Sequence, residues 1–340
     1  MKIAFFSAYQ KKLERGAEVF CFELSERLKE NYQVEIFTDN LLPKARWPFF
    51  WRFYLDPAGI SIFWFTLKKL RKIWEEKYDI VIPINGGWQT ALLRLITWIY
   101  GGKIVIIGHS GIGWDDLNNL WCFPDFFVSL SSSAGRWANK VNPFVKTTYI
   151  PDGVDLKIFS PRGSKAKIDL DKPIVLAVGA LEKRKRFDLT IKAVARLKKV
   201  SLLILGDGPE KNALIKLGNE LLGDRFQLTK VEHKIIDSYY RGCDLFTIPS
   251  SQSYSFEIVI LEALASNLPV VANSDPIRKE IIGDVGVLVN PNDIKKYSEG
   301  LEYALNKDWD DLPEKQAKKY SWEKITEKYK DIFLNKSVKK

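Results

Sequence analysis

The sequence predicts an α/β protein built as two successive doubly wound domains, each a parallel sheet covered by helices on both faces, with a cleft between them. Three observations carry this. Strand-like and helix-like segments alternate along most of the 340-residue chain. The strands are near-continuous runs of Ile, Val and Leu, as strands buried on both faces require, rather than apolar–polar alternations. At Pro151–Lys172, Pro151, Gly153, Pro161, Gly163 and many charges have linker composition, and the alternation then restarts. A chain of this length exceeds one ordinary core and suits two domains.

In order, Lys2–Ala8 is the first strand. A polar loop ending Glu14-Arg15-Gly16-Ala17-Glu18 leads into a helical pattern that runs to about Lys29. Further strands follow at Val34–Asp39, Asp79–Ile84, Lys103–His109 and Asp125–Leu130, separated by loops or helical segments such as Trp88–Tyr100. After the linker the pairs are Ile174–Gly179 with Asp188–Lys199, Ser201–Leu205 with Glu210–Leu222, and Phe226–Thr229 with Ile235–Tyr240. The expected domains are residues 1–155 and 156–318, both Rossmann-like. Residues 319–340 form a closing helix that packs back on the body through Trp322, Ile325, Tyr329 and Phe333 at spacings of three and four.

Asp244–Asn273 is the most informative stretch. Asp244–Ser250 reads as a strand, Phe256–Ala265 as a helix with Ser255 as N-cap and Glu257 in its first turn, and Val270–Asn273 as the next strand. That helix is apolar nearly all the way round except for Glu262. It should therefore be buried, and a buried carboxylate is costly unless satisfied. Either an internal cation or backbone N–H group satisfies Glu262, or a polar ligand docks on it.

Composition bounds the partners. A net charge of +10 with 46% apolar residues describes a globular chain suited to an anionic partner, whether phosphate ligand, lipid or nucleic acid. Cys21, Cys122 and Cys243 are three and far apart, which suggests neither a disulfide framework nor a zinc site but reduced, buried thiols in a cytoplasmic protein. Lys11, Lys12 and Glu14 follow too soon for a signal peptide. No apolar run approaches the roughly 18–20 residues that a spanning helix needs, because Lys68, Arg94 and Lys103 interrupt the best ones. The expectation is a cytoplasmic protein, soluble or peripheral on the inner face of the cell membrane.

One stretch, 43–74, breaks the α/β rhythm. It mixes Trp47, Phe49, Phe50, Trp51, Phe53, Tyr54, Phe63, Trp64, Phe65 and Trp74 with Lys44, Arg46, Arg52, Lys68, Lys69, Arg71 and Lys72. Aromatic rings among cations suit a membrane interface with anionic lipid. The alternative is a helical hairpin whose aromatics fill an ordinary core. No nucleic-acid-binding motif accompanies the stretch, so nucleic acid is not an expected partner.

Catalytic motifs are mostly absent. There is no Walker loop, no Gly-x-Gly-x-x-Gly after a strand, no nucleophile elbow, and only His109 and His233 as histidines. What remains suits phosphate. Gly16 opens a helix, whose N-terminus favours an anion, and Lys183-Arg184-Lys185-Arg186 follows the first strand of the second domain. Arg15-Gly16-Ala17-Glu18 looks like a Gly-Gly-Ala-Glu loop, Pro151-Asp152-Gly153-Val154-Asp155 like a Pro-Asn-Gly-Val-Asp linker, and Leu205-Gly206-Asp207-Gly208-Pro209 like a Gly-x-Gly-Pro turn. Val178–Ala193 looks like a second-domain loop and helix, and Ser321-Trp322-Glu323 like a Ser-Trp-Glu before a closing helix. In this order and spacing they resemble glycosyltransferase family 4, the retaining, nucleotide-sugar-dependent enzymes of the two-domain GT-B fold.

The resemblance implies a nucleotide-sugar donor, a glycan or polyprenyl (lipid-linked) acceptor, and neither cofactor nor metal. It implies roles for individual residues too. Glu262 falls on the ribose hydroxyls, Lys185 on the donor diphosphate, Gly16 on the backbone that approaches it, His109 on the transferred sugar, and Phe256 on the phenylalanine of the donor-side motif. Four positions depart from the family pattern: Tyr254 replaces a glutamate, Glu257 a glycine, Ala180 an arginine and Arg15 a glycine. Arg184 or Arg186 would then supply the lost cation, and Glu257 would swing into the sugar site. Three other readings compete. These are a catalytically silent nucleotide-sugar or lipid-binding relative, a same-fold epimerase, disfavoured by the missing acid/base set, and, last, a nucleic-acid binder.

Overall fold

The computed structural model describes residues 1–10, 16–39, 44–251 and 256–334. Met1–Asp152, Tyr254–Phe256 and Trp322–Lys340 form unit 1; Gly153–Ser253 and Glu257–Ser321 form unit 2. Among the described residues each unit holds a six-stranded sheet in which every pairing is parallel.

In unit 1 the strands are β1 (Lys2–Phe6), β2 (Gln33–Phe37), β3 (Ile80–Pro83), β4 (Lys103–Ile107), β5 (Phe126–Ser129) and β6 (Thr147–Tyr149), ordered β2-β1-β3-β4-β5-β6. They are covered by α1 (Gly16–Leu28), α2 (Pro57–Glu76), α3 (Trp88–Tyr100), α4 (Trp114–Trp121) and α5 (Ser132–Val141). Ile3 to Phe6 have no exposed surface, which is why this strand carries no polar alternation. Phe6 stacks on Phe37 at 4.6 Å and meets Phe65 of α2 edge-on at 6.1 Å, tying the sheet to its helical layer.

In unit 2 the strands are β7 (Ile174–Val178), β8 (Ser201–Leu205), β9 (Phe226–Thr229), β10 (Leu245–Ile248), β11 (Val270–Asn273) and β12 (Gly286–Val289), ordered β12-β11-β10-β7-β8-β9. The helices are α6 (Phe187–Ala195), α7 (Lys211–Leu222), α8 (Ile236–Gly242), α9 (Ile258–Ala265), α10 (Pro276–Ile282), α11 (Ile294–Asn306) and α12 (Leu312–Ala317). The last helix, α13 (Trp322–Phe333), returns to unit 1 and packs on α1, with Phe20 against Trp322 and Tyr329 at 5.5 and 5.8 Å.

Three sequence expectations are corrected. Residues 44–74 do not form a hairpin. Phe50–Phe53 make one 3₁₀ turn, and a single helix, α2, starts where Asp56 accepts a hydrogen bond from the Gly59 N–H at 2.7 Å with Pro57 in its first turn. Phe65 enters the core, whereas Trp47, Phe49, Phe50, Phe53, Trp64 and Trp74 stay exposed. The helix predicted at 256–265 begins two residues later, because Glu257 is extended (φ −103°, ψ 95°) with its side chain tied to groups outside the helix; Ser255 lies outside the described residues. The edge strands β6 and β12 lie beyond the predicted set; both are short and largely half-buried. Of the three thiols, Cys21 and Cys243 are buried and Cys122 is half-buried. Among the described residues no helix is long and apolar enough to cross a membrane.

Candidate functional site

In unit 2 the chain leaves β7 for β8 and β9 on one side, then builds β10, β11 and β12 on the other. The carboxyl ends of β7 and β10 therefore flank the topological switch point, where open α/β sheets bind ligands. After β7, a Cβ on Gly206 would lie 2.0 Å from the Gly179 carbonyl oxygen, so only glycine lets the Gly206–Pro209 turn close on this loop. The Leu181 N–H donates to the Asp207 carbonyl, and the Glu210 N–H to that of Leu181, both at 2.9 Å. The loop so pinned carries the Lys183–Lys185 3₁₀ turn.

Its four cations separate. Lys183 is exposed, Arg184 pairs with Glu182 at 2.6 Å, and Arg186 donates to Asn292. Lys185 turns to the end of β10, its Nζ 2.5 Å from Glu257 Oε1. The other oxygen of Glu257 accepts from Ser250 at 2.9 Å and from Arg278 at 2.8 Å. Arg278 also donates to Ser250 at 2.6 Å and to Asp275 at 2.8 Å, and Asp275 caps α10 by accepting the Ile277 and Arg278 N–H groups. Burial alone would raise the Glu257 carboxyl, but Lys185 and Arg278 hold it below its usual range. Burial would lower Arg278, yet Glu257 and Asp275 hold it above its own. Two carboxylates and two cations thus form a buried, charge-balanced network at the switch point.

Glu262 lies on α9, almost fully buried. The Tyr240 hydroxyl donates to its Oε2 at 2.8 Å, and His233 Nε2 sits 3.7 Å from Oε1. Burial, with the Glu262 charge adding to it, holds the Tyr240 phenol well above its usual range, so it stays a donor. Phe159 meets the rings of His233 and Tyr240 edge-on at 6.3 and 5.8 Å. The His233 side chain is 43% exposed, against 6% for that of Glu262.

Unit 1 contributes groups of another kind. Gly16, exposed, opens α1. His109 follows β4 and packs edge-on to Phe20 at 4.7 Å. Its Nε2 is buried without a hydrogen-bond partner among the described residues, and burial pushes the imidazole down to about 4. Burial likewise pushes Asp116 and Asp152 up to about 8. Among the described residues Asp152 Oδ1 and the Tyr329 hydroxyl have no hydrogen-bond partner. Phe256 is buried and groups with unit 1. Tyr254 and Arg15 lie outside the described residues.

Residues 163–322 match the family model for glycosyl transferases group 1. That region contains Lys185, Glu257, Glu262 and Arg278. Sulfoquinovosyl transferase SQD2 of Arabidopsis thaliana is 31% identical over 196 residues, which are 53% of this chain and 38% of that relative. The chain spans less than two fifths of the length of the curated relatives it matches. Sucrose-phosphate synthase from Thermosynechococcus elongatus superposes with a TM-score of 0.77 at 20% identity over 98% of each chain. Anabaena HepE in complex with UDP and glucose superposes with a TM-score of 0.76 at 17% identity, over 98% of this chain and 99% of its own. The fold is GT-B, and the group 1 match supports a glycosyltransferase.

Within the group 1 region the structure brings Lys185 and Glu257 together and leaves Arg184 apart on Glu182. Sequence reasoning missed Arg278, Asp275, Ser250, Tyr240 and His233. A signal existed for two of them: Asp275-Pro276 announces a helix start, and an arginine three residues on is positioned to pair with its own N-cap.

Proposed function

We propose that the chain is a retaining glycosyltransferase that moves a sugar from a nucleotide-diphosphate donor to a lipid-linked or growing glycan acceptor. The observation that carries this reading is the Lys185–Glu257–Arg278 network at the switch point of the sheet within the group 1 match. In this reading Glu262 accepts from the ribose hydroxyls beside His233, and Lys185 meets the diphosphate. His109, neutral above about pH 4, offers the sugar a hydrogen bond rather than a charge. The leaving diphosphate takes the acceptor proton on the same face while cations stabilise its developing charge, an electrostatic rather than covalent route. The UDP and glucose of HepE, a fold relative, agree with this donor class. The acceptor side is drawn from an exposed apolar face on α2 and α3, with Ile60, Trp64, Leu95, Trp98 and Ile99 beside Lys68 and Arg71, which suits a membrane surface.

A thermal-shift and nucleotide-release screen over UDP-, GDP- and ADP-sugars, with membrane extract as acceptor, tests the reading. One nucleotide class should stabilise the protein and be released. Glu262→Gln should weaken binding of that nucleoside diphosphate about tenfold. Stabilisation by none of the three would overturn the proposal. The ion pair that ties Lys185 to Glu257 favours a second reading, a relative that binds the donor without turning it over; tight binding with no release under any acceptor would select it.

A further inference from the structure

The cation proposed to meet the donor diphosphate already holds an anion of the chain. Lys185 lies on Glu257 Oε1, while Glu257 Oε2 is held by Ser250 and Arg278. The side chains of Glu257 and Arg278 are 3% and 1% exposed and that of Lys185 is 17%, so the lysine is the most accessible member of the network. Glu257 and Asp275 balance Lys185 and Arg278 in charge. A diphosphate added beside this set would bring uncompensated negative charge to a dry site, which is costly unless a cation is released to meet it. Arg278 is locked by three partners, Glu257, Ser250 and Asp275. Lys185, on a flexible stem ending in a compact charge, can turn.

We infer that Glu257 is a resident anion that parks Lys185 and sets the affinity for the donor's diphosphate: on binding, Lys185 leaves Oε1 for the phosphate oxygens while Arg278 and Ser250 keep the carboxylate. This inference rests on the nucleotide-diphosphate reading. It replaces the expectation that Glu257 swings into the sugar site, because two buried partners fix its Oε2.

Calorimetric titration of UDP, GDP, ADP and inorganic pyrophosphate into the unaltered chain, Glu257→Gln and Glu257→Asp is the test. Glu257→Gln removes the competing anion. Glu257→Asp keeps a charge for Arg278 but is one methylene short of Lys185, and it protects the test should the glutamine variant fail to fold. The nucleoside diphosphate that binds the unaltered chain should bind Glu257→Gln about tenfold tighter and Glu257→Asp tighter by a smaller factor, with pyrophosphate following the same order. Unchanged or weaker binding in both variants overturns the inference and leaves the donor reading standing. A gain in Glu257→Gln alone, with a folded Glu257→Asp unchanged, overturns parking in favour of general charge relief. Binding of no nucleotide to any of the three proteins overturns the donor reading and this inference with it.

Discussion

Beyond the carboxyl ends of β7, β10 and β11, Lys185, Glu257, Asp275 and Arg278 are paired as ions. At the ends of β4 and β6, His109, half-buried with its Nε2 shielded from solvent, and Asp152, fully buried, are neutral near pH 7. Both sheets are six-stranded, parallel and built on the same crossover logic, so topology does not make the difference. Burial drives every titratable group toward its uncharged form unless the fold brings an opposite charge within reach. Unit 2 does so by converging loops from β7, β10 and β11. In unit 1 the imidazole packs edge-on with the Phe20 ring, and Asp152 Oδ1 has no partner among the described residues. Under the proposed function, the charged end suits a phosphate and the neutral end a sugar or acceptor hydroxyl.

The comparison breaks most directly at Arg278. Arg278→Met takes from buried Glu257 and Asp275 the cation they share, leaving Glu257 to Lys185 and Ser250 and Asp275 to the backbone N–H groups of α10, and denaturant unfolding should show a loss of about 3–5 kcal/mol; a loss below about 1 kcal/mol would mean that Arg278 is not an important tie in the network. Asp152→Asn sharpens the other side. With a folded pKa of about 8 against an ordinary 3.8, the Asp152 contribution to stability is fully present below pH 3.8 and lost as pH rises toward about 8. Asparagine, the residue at this place in the family pattern, should therefore stabilise the protein by about 1–3 kcal/mol at pH 8 and flatten thermal stability across that range. If the variant is no more stable at pH 8 than at pH 5 relative to the unaltered chain, Asp152 is not buried neutral. Smallest in stability is the outer face of unit 1. Replacing Trp64 and Trp98, 54% and 60% exposed, by serine should shift stability by no more than about 0.5 kcal/mol each yet reduce co-sedimentation with anionic vesicles. Unchanged sedimentation would remove the membrane from the acceptor proposal.

The sheets were legible because buried parallel strands are written as local apolar runs: Ser201–Leu205 and Val270–Asn273 form as predicted. Thr147–Tyr149 and Gly286–Val289 were not, since an edge strand needs less apolar surface and leaves a weaker pattern. Glu262 was legible as an anomaly, a charge on an apolar helix, but its partner Tyr240 was not, because nothing local marks a phenol for that role. The switch-point network was the least legible part. Lys185 and Glu257 are 72 residues apart, and Arg278 meets Glu257 across 21, so no local window of sequence shows that the three pair with one another. Once formed, these pairs also overrode local preference, holding Glu257 extended where the sequence read helix.

The return of α13 to unit 1 bears on synthesis. Apart from 254–256, residues 153–321 belong to unit 2, so that unit is essentially complete once this one stretch has left the ribosome. Phe20, near the start of unit 1, packs against Trp322 and Tyr329, which emerge about 300 residues later in the chain. The first sheet to be made is thus the last to be covered. Until α13 arrives, the apolar surface around α1 has to wait uncovered, and it is there, rather than at the charged network of unit 2, that a nascent chain is most exposed to chaperones and proteases.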